Sequence, residues 1–131
     1  MMRPMDATPD LLTPRDRERM AGVHAALVRV VERARRAEAF FVIEGLRSPD
    51  RQKQLLAQGR SRTLQSRHLT GHAVDLGPMP LDWANRGAFR AVAAAMQRAA
   101  DEMDVRIRWG GSFRGFFDGP HFELDARDFP P

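Results

Sequence analysis

Hydrophobic positions change period several times along this chain, and each change predicts an element. Met20, Val23, Leu27, Val30, Val31 and Ala34 recur at helical spacing, which predicts one helix from about Pro14 to Ala37. Thr13 suits its cap, Pro14 its first turn, and Asp16 its positive end. The run "AFFVIEG", 39–45, is short, apolar and β-rich, so it predicts a strand. "SPDRQKQLLAQG" predicts a second helix, capped by Ser48, opened by Pro49 and ended by Gly59. Residues 60–70 read as loop, and "HAVDLG" as a strand stopped at Gly77 and Pro78. Phe89, Val92, Ala93, Met96 and Ala100 form the buried stripe of a third helix at about 84–103. "VRIRW", 105–109, alternates as a half-buried strand does, and "HFEL", 121–124, is a last short one. The order is helix, strand, helix, strand, helix, then strands clustered late. It predicts an α+β domain with a small, mainly antiparallel sheet flanked by helices.

Length changes this picture little: 131 residues make one domain, with a loose lead-in at 1–12 and a tail at 125–131. Cysteine is absent, so any metal must be held by His and carboxylate ligands. Net charge is +4, and residues 1–60 hold the excess, with 12 basic against 8 acidic residues. No dense basic run or aromatic-plus-basic motif accompanies it, so no nucleic-acid partner is expected. No apolar run approaches the roughly 20 residues of a membrane span. The start, "MMRPMDATPD", lacks the apolar core of a signal peptide, so synthesis in the cytoplasm without a signal peptide is expected.

The chemistry concentrates where polar residues interrupt apolar strands. In "SRHLTGHAVDL", Asp75 lies between Val74 and Leu76, so it points away from the face those two share. His121 and Glu123 likewise share one face of "HFEL", with Phe122 and Leu124 on the other. His68 lies seven positions before Asp75, with Gly71 between them to turn the chain. Two imidazoles and one carboxylate can make a catalytic zinc set, which keeps a fourth position open for water. Such water has a pKa near 7, roughly two units below that on aqueous zinc. A general base is also needed, and Asp118 in "DGPH" sits across a tight turn from His121. The same residues also fit ordinary histidines and turn aspartates, and spacing alone leaves both readings open.

Four ordered motifs add a resemblance. "SRHLTGHAVDL" is similar to the Ser-x-His-x-x-Gly-x-Ala-x-Asp motif of the zinc D-Ala-D-Ala carboxypeptidase and L-alanyl-D-glutamate endopeptidase family. That family includes VanY-like and VanX-like enzymes and many phage endolysins. "GLRSPDRQKQLLAQGRS" resembles its Arg-Ser-x-x-x-Gln-x-x-Leu segment, "WGGSF" its Trp-Gly-Gly-Asp-Trp segment, and "DGPHFEL" its Asp-x-x-His-Phe close. The likeness runs in family order from about Phe41 to Leu124 and is nearest to the endolysin branch. Ser112 and Phe113 depart from the Asp and Trp of many members, and Leu56 stands where Tyr is frequent.

The resemblance implies a Hedgehog/DD-peptidase-like fold and one Zn2+ per chain, held by His68, Asp75 and His121. Asp118 would be the general base, taking a proton from the attacking water and passing it to the leaving amine. Arg47 would stabilise the carbonyl oxygen as it becomes an oxyanion. Ser66 would hydrogen-bond near the metal or the substrate carbonyl, and Gln52 would be structural or support the residues around the metal. From the strand reading, Glu123 on the His121 face would orient a ligand histidine, or be the base in place of Asp118. His72 falls on a variable motif position and His24 in mid-helix, so neither is expected to bind metal. Trp109, Phe113, Phe116 and Phe117 are expected in the core.

The implied activity is hydrolysis of a peptidoglycan stem peptide by a monomeric L-alanyl-D-glutamate endopeptidase. It would act as a phage or prophage endolysin on the cell wall after release. A D-Ala-D-Ala carboxypeptidase is the enzymatic alternative, and a non-catalytic zinc or wall-binding module the alternative outside enzymes.

Overall fold

The computed structural model describes residues 11–61, 63 and 65–130. Helices α1 (Pro14–Arg19) and α2 (Ala25–Arg35) precede strand β1 (Phe40–Glu44) and helix α3 (Pro49–Ala57). A 3-10 turn (Arg67–Thr70) leads into β2 (Ala73–Pro78), followed by α4 (Arg86–Glu102), β3 (Ile107–Trp109) and β4 (His121–Leu124). The strands form one antiparallel sheet in the order β1-β2-β4-β3. The expected α+β class with an antiparallel sheet is therefore borne out. Among the described residues, no helix is long and apolar enough to cross a membrane.

One face of the sheet is a hydrocarbon layer. Val42, Val74, Leu76, Phe122 and Leu124 pack there against Leu27, Val30 and Val31 of α2 and Val92 and Met96 of α4, all nearly sealed from solvent. Burying each such side chain contributes about 1.5–3 kcal/mol. The opposite face is polar. Pairing places Asp75 opposite His121 and Ala73 opposite Glu123, so these side chains share the face turned away from the core.

β1 reaches that arrangement through an irregularity. Val42 pairs with Leu76, yet Glu44 pairs with Asp75, so the register shifts by one residue between them. A bulge of this kind sends the next side chain to the other face. Val42 thus enters the core while Glu44 joins the polar face.

The single helix expected over 14–37 is broken. Met20, Val23 and Leu27 are all buried, so the apolar spacing persists, but Gly22 takes φ +84 and the chain turns there. A left-handed φ is easy for glycine and costly for other residues. His24, expected in mid-helix, instead caps α2, its side chain accepting the Ala26 N–H at 3.0 Å.

The break lets α1 cover the edge of the sheet. Asp16 closes a capping box with Thr13 and also accepts the Val42 N–H at 2.9 Å. Arg19 donates to the Val42 carbonyl at 2.9 Å. Exposed strand edges invite unwanted pairing, and these two side chains satisfy this one.

Of the lead-in expected at 1–12, residues 1–10 lie outside the described residues, and Leu12 is buried in the core rather than loose. The tail also docks: Phe129 packs against the core, and its carbonyl accepts from Arg67 at 2.8 Å.

Candidate metal centre and its cleft

Three elements meet above the polar face of the sheet. The 3-10 turn brings His68, β2 brings Asp75, and β4 brings His121. One ligand atom from each lies within 4.8 Å of the others, the only such group among the described residues. His68 Nε2 is 3.1 Å from Asp75 Oδ1, and His121 Nδ1 is 3.4 Å from the same oxygen. A tetrahedral site with bonds of about 2.0–2.1 Å has ligand–ligand edges of about 3.3 Å. The two separations match that edge.

The histidine tautomers point the same way. His68 Nδ1 lies 2.8 Å from the Gly45 carbonyl, which can only accept, so Nδ1 carries the proton. Its Nε2 lone pair then faces Asp75. His121 Nε2 lies 2.8 Å from Glu123 Oε1, an ionised carboxylate, which leaves Nδ1 as the inward lone pair. Three lone-pair atoms converge, and such a cluster is stable only around a proton or a cation. Outer hydrogen bonds of this kind are what metal-binding histidines use to fix their rings.

The protonation pattern without metal follows from those contacts. Burial lowers the His121 pKa, but hydrogen bonds to Asp75 and Glu123 outweigh it and raise the group to about 9. Burial works against ionising Asp75, yet hydrogen bonds from His121 and His68 hold it well below the usual carboxylate range. For Asp118, burial and the nearby negative charge of Asp75 both push its pKa upward.

The centre opens onto a cleft of about 600 Å³. Arg47 lines it and is almost buried, bonded to Glu44, to Gln52 Oε1 at 2.8 Å, and 3.6 Å from Asp75 Oδ2. Asp118 lines it from the opposite loop. Its N–H donates to the Gly110 carbonyl at 3.0 Å, and a Cβ at Gly110 would lie 2.2 Å from the Asp118 oxygen. Trp109 Nε1 donates to the Gly119 carbonyl at 2.7 Å. The "WGG" and "DGPH" segments are thereby tied together, and only glycine fits the contact.

Comparison with known proteins adds the decisive observation. The family model described as phage L-alanyl-D-glutamate peptidase matches residues 11–125. The chain belongs to the phage L-alanyl-D-glutamate peptidase family. Its relatives include the L-alanyl-D-glutamate peptidase of Escherichia phage T5, 30% identical over 82% of this chain and 92% of that protein. The L-alanyl-D-glutamate peptidase of Listeria phage A118 is 29% identical over 68% of this chain, which spans 31% of that longer protein. Among solved structures, the Serratia marcescens L-Ala D-Glu endopeptidase ChiX superposes with a TM-score of 0.85 at 41% identity, covering 98% of this chain and all of that one. As a member of this peptidase family, the protein is an enzyme that hydrolyses peptide bonds.

Within this phage peptidase framework, the site residues read from sequence fall into place unevenly. His68, Asp75, His121, Asp118 and Arg47 converge on the cleft. Gln52 is fully buried, accepting from Arg47 and donating to Ser61 Oγ at 2.8 Å, which suits a structural part. Glu123 bonds His121. Ser66 lines the cleft, and its hydroxyl accepts the His68 N–H at 3.2 Å, capping the 3-10 turn. His72 points elsewhere, its Nδ1 2.6 Å from Thr70 Oγ1. Phe113, Phe116 and Phe117, expected in the core, line the cleft instead, while Trp109 packs against the core as expected.

Two contributors escaped the sequence reading. The Gly45 carbonyl sets the His68 ring, and a backbone acceptor carries no residue-type signal. Glu44 clamps Arg47, and only the bulge in β1 reveals that it faces the site.

Proposed function

We propose that this protein is a zinc-dependent endopeptidase that cleaves the L-alanyl–D-glutamate bond of peptidoglycan stem peptides. The observation carrying the reading is the convergence of the His68, Asp75 and His121 ligand atoms within 4.8 Å, with both outer nitrogens engaged. His68 Nε2, Asp75 Oδ1 and His121 Nδ1 would hold the ion. Zinc bound there supplies Lewis acidity and brings the pKa of water near 7. Two nitrogens and one oxygen are a catalytic donor set for zinc, and the cysteine-free sequence offers no thiolate alternative.

Asp118 accepts the proton of the attacking water and returns it to the leaving amine. Burial, the larger cause of its upward-shifted pKa in the metal-free protein, favours such a proton exchange. Arg47 offers a fixed guanidinium to the carbonyl oxygen as negative charge develops on it. Glu44 and Gln52 hold that guanidinium in place, so little reorganisation is needed during the reaction. The phage relatives support an endolysin role, in which the protein acts on the cell wall after the membrane is breached.

The test is Asp118→Ala. The variant is expected to keep about one zinc per chain and to lose activity by about 10²–10⁴-fold. Mass analysis of digested stem peptides should show a new amino terminus on glutamate with the wild type only. Full lytic activity in the variant would remove Asp118 from its assigned part. Release of terminal D-Ala instead would make the protein a carboxypeptidase.

A further inference from the structure

We propose that Arg51 and Arg60 form a carboxylate subsite on one wall of the cleft, which selects substrates carrying a free negative charge beside the cleaved bond. The inference rests on the endopeptidase reading above and names the group that the cleft recognises.

The cleft lining combines two chemistries. The aromatic part of the lining comes from Phe113, Phe116, Phe117 and Trp83. The other part is polar and basic, carried by α3 and the segment after it. Among the described residues, four arginines line the cleft: Arg47, Arg51, Arg60 and Arg67. Two of these are committed. Arg47 is held by Glu44 and Gln52. Arg67 donates to the carbonyls of Leu124 and Phe129 at 2.9 and 2.8 Å.

The other two are available. Arg51 lies 3.7 Å from Glu44 Oε2, but Glu44 already pairs with the nearly buried Arg47. Among the described residues, Arg60 donates to Gln58 Oε1 at 3.4 Å, a weak contact with an uncharged group. Of the other cleft carboxylates, Asp75 and Glu123 are engaged by histidines, and Asp118 sits on the opposite loop. Arg60 is nevertheless well placed. Its backbone N–H donates to the Leu55 carbonyl at 2.8 Å across the glycine turn that ends α3. The main chain is thus anchored, and the residue lines the cleft.

The substrate supplies a matching group. Glutamate has two carboxyl groups, and a chain continuing through one leaves the other free and negative unless it is amidated. Guanidinium binds carboxylate through paired, charge-assisted hydrogen bonds and distinguishes it well from a neutral amide.

The experiment compares two synthetic stem peptides that differ only in this group, free acid against primary amide. Wild-type protein loaded with zinc should cleave the acid about tenfold more efficiently, with the difference mainly in KM. Arg51→Ala with Arg60→Ala should bring the acid-to-amide ratio close to one, and Arg60→Glu should invert it. Arg98→Ala, a basic substitution on α4 away from the cleft, should leave the ratio unchanged. Equal cleavage of both peptides by wild type overturns the subsite while leaving the endopeptidase reading intact. A preference that survives in the double variant also overturns it. Cleavage of neither peptide overturns the endopeptidase reading, and the subsite with it.

Discussion

The chain contains two pairs of neighbouring histidines, and only one is built for a metal. His68 and His121 lie edge to face with ring centroids 5.1 Å apart, and His24 and His72 are 5.7 Å apart. Proximity therefore does not separate them. The first pair is buried, flanks Asp75, and has each outer nitrogen fixed by an acceptor. In the second, His24 Nδ1 already accepts the Ala26 N–H, so that lone pair is spent. Burial lowers the His72 pKa, and the positive charge of Arg67 and the neighbouring His24 ring lower it further. One pair sits in a field that attracts a cation, and the other in a field that repels it. A metal site is defined less by the imidazoles than by the anion between them and the hydrogen bonds behind them.

Removing the ligands tests this contrast most severely. His68→Ala, Asp75→Ala and His121→Ala should each lower zinc from about one ion per chain to a small fraction of that. His24→Ala and His72→Ala should leave zinc content unchanged, as measured by elemental analysis of gel-filtered protein. Loss of zinc in His72→Ala would erase the distinction between the pairs.

A smaller effect is expected behind the ligands. Glu123→Gln keeps the size of the side chain but removes the charge that fixes the His121 tautomer. Zinc affinity should fall about 10–100-fold by chelator competition, because outer partners of metal ligands carry effects of that size. An unchanged affinity would show that the β4 backbone alone orients the ring.

The smallest change needs no mutation. His121 in the metal-free protein titrates at about 9, above the roughly 6.5 of an unfolded histidine. Its charged contacts with Asp75 and Glu123 stabilise the metal-free fold fully below about pH 6.5, and that contribution fades as pH rises through about 9. Metal must displace the same proton, so zinc affinity should climb with pH over this window, by at most about tenfold per unit. Thermal melting of stripped protein should decline over the same range, whereas zinc-loaded protein should not follow it. Affinity that stays flat across the window would break the link between this proton and the metal.

Much of this arrangement is legible in the sequence, for local reasons. Ser48, Pro49 and Gly59 bound α3 through short-range backbone chemistry, and "HFEL" matches β4 residue for residue. Asp75 stood out because a carboxylate inside an apolar strand needs a partner. What escaped notice depends on contacts far apart in sequence or on the backbone itself. The break at Gly22 was hidden because Met20, Val23 and Leu27 stay buried on both sides of it. Asp16 looked like a helix-cap residue and is one, but its second bond, to Val42, spans 26 positions. The aromatic lining was missed because Phe113, Phe116 and Phe117 carry the same composition signal in a cleft as in a core.

Gly45 joins these distant parts. Its carbonyl holds the His68 ring, and a Cβ built on it would lie 2.3 Å from the Arg19 carbonyl at the end of α1. The first helix of the fold thus presses directly on the residue that aims a ligand. Although α1 contributes nothing to the cleft lining, damage to its docking should be felt as chelator sensitivity. In a trimmed or grafted version of this enzyme, the segment from Leu12 to His24 belongs with the catalytic unit and not with the dispensable scaffold.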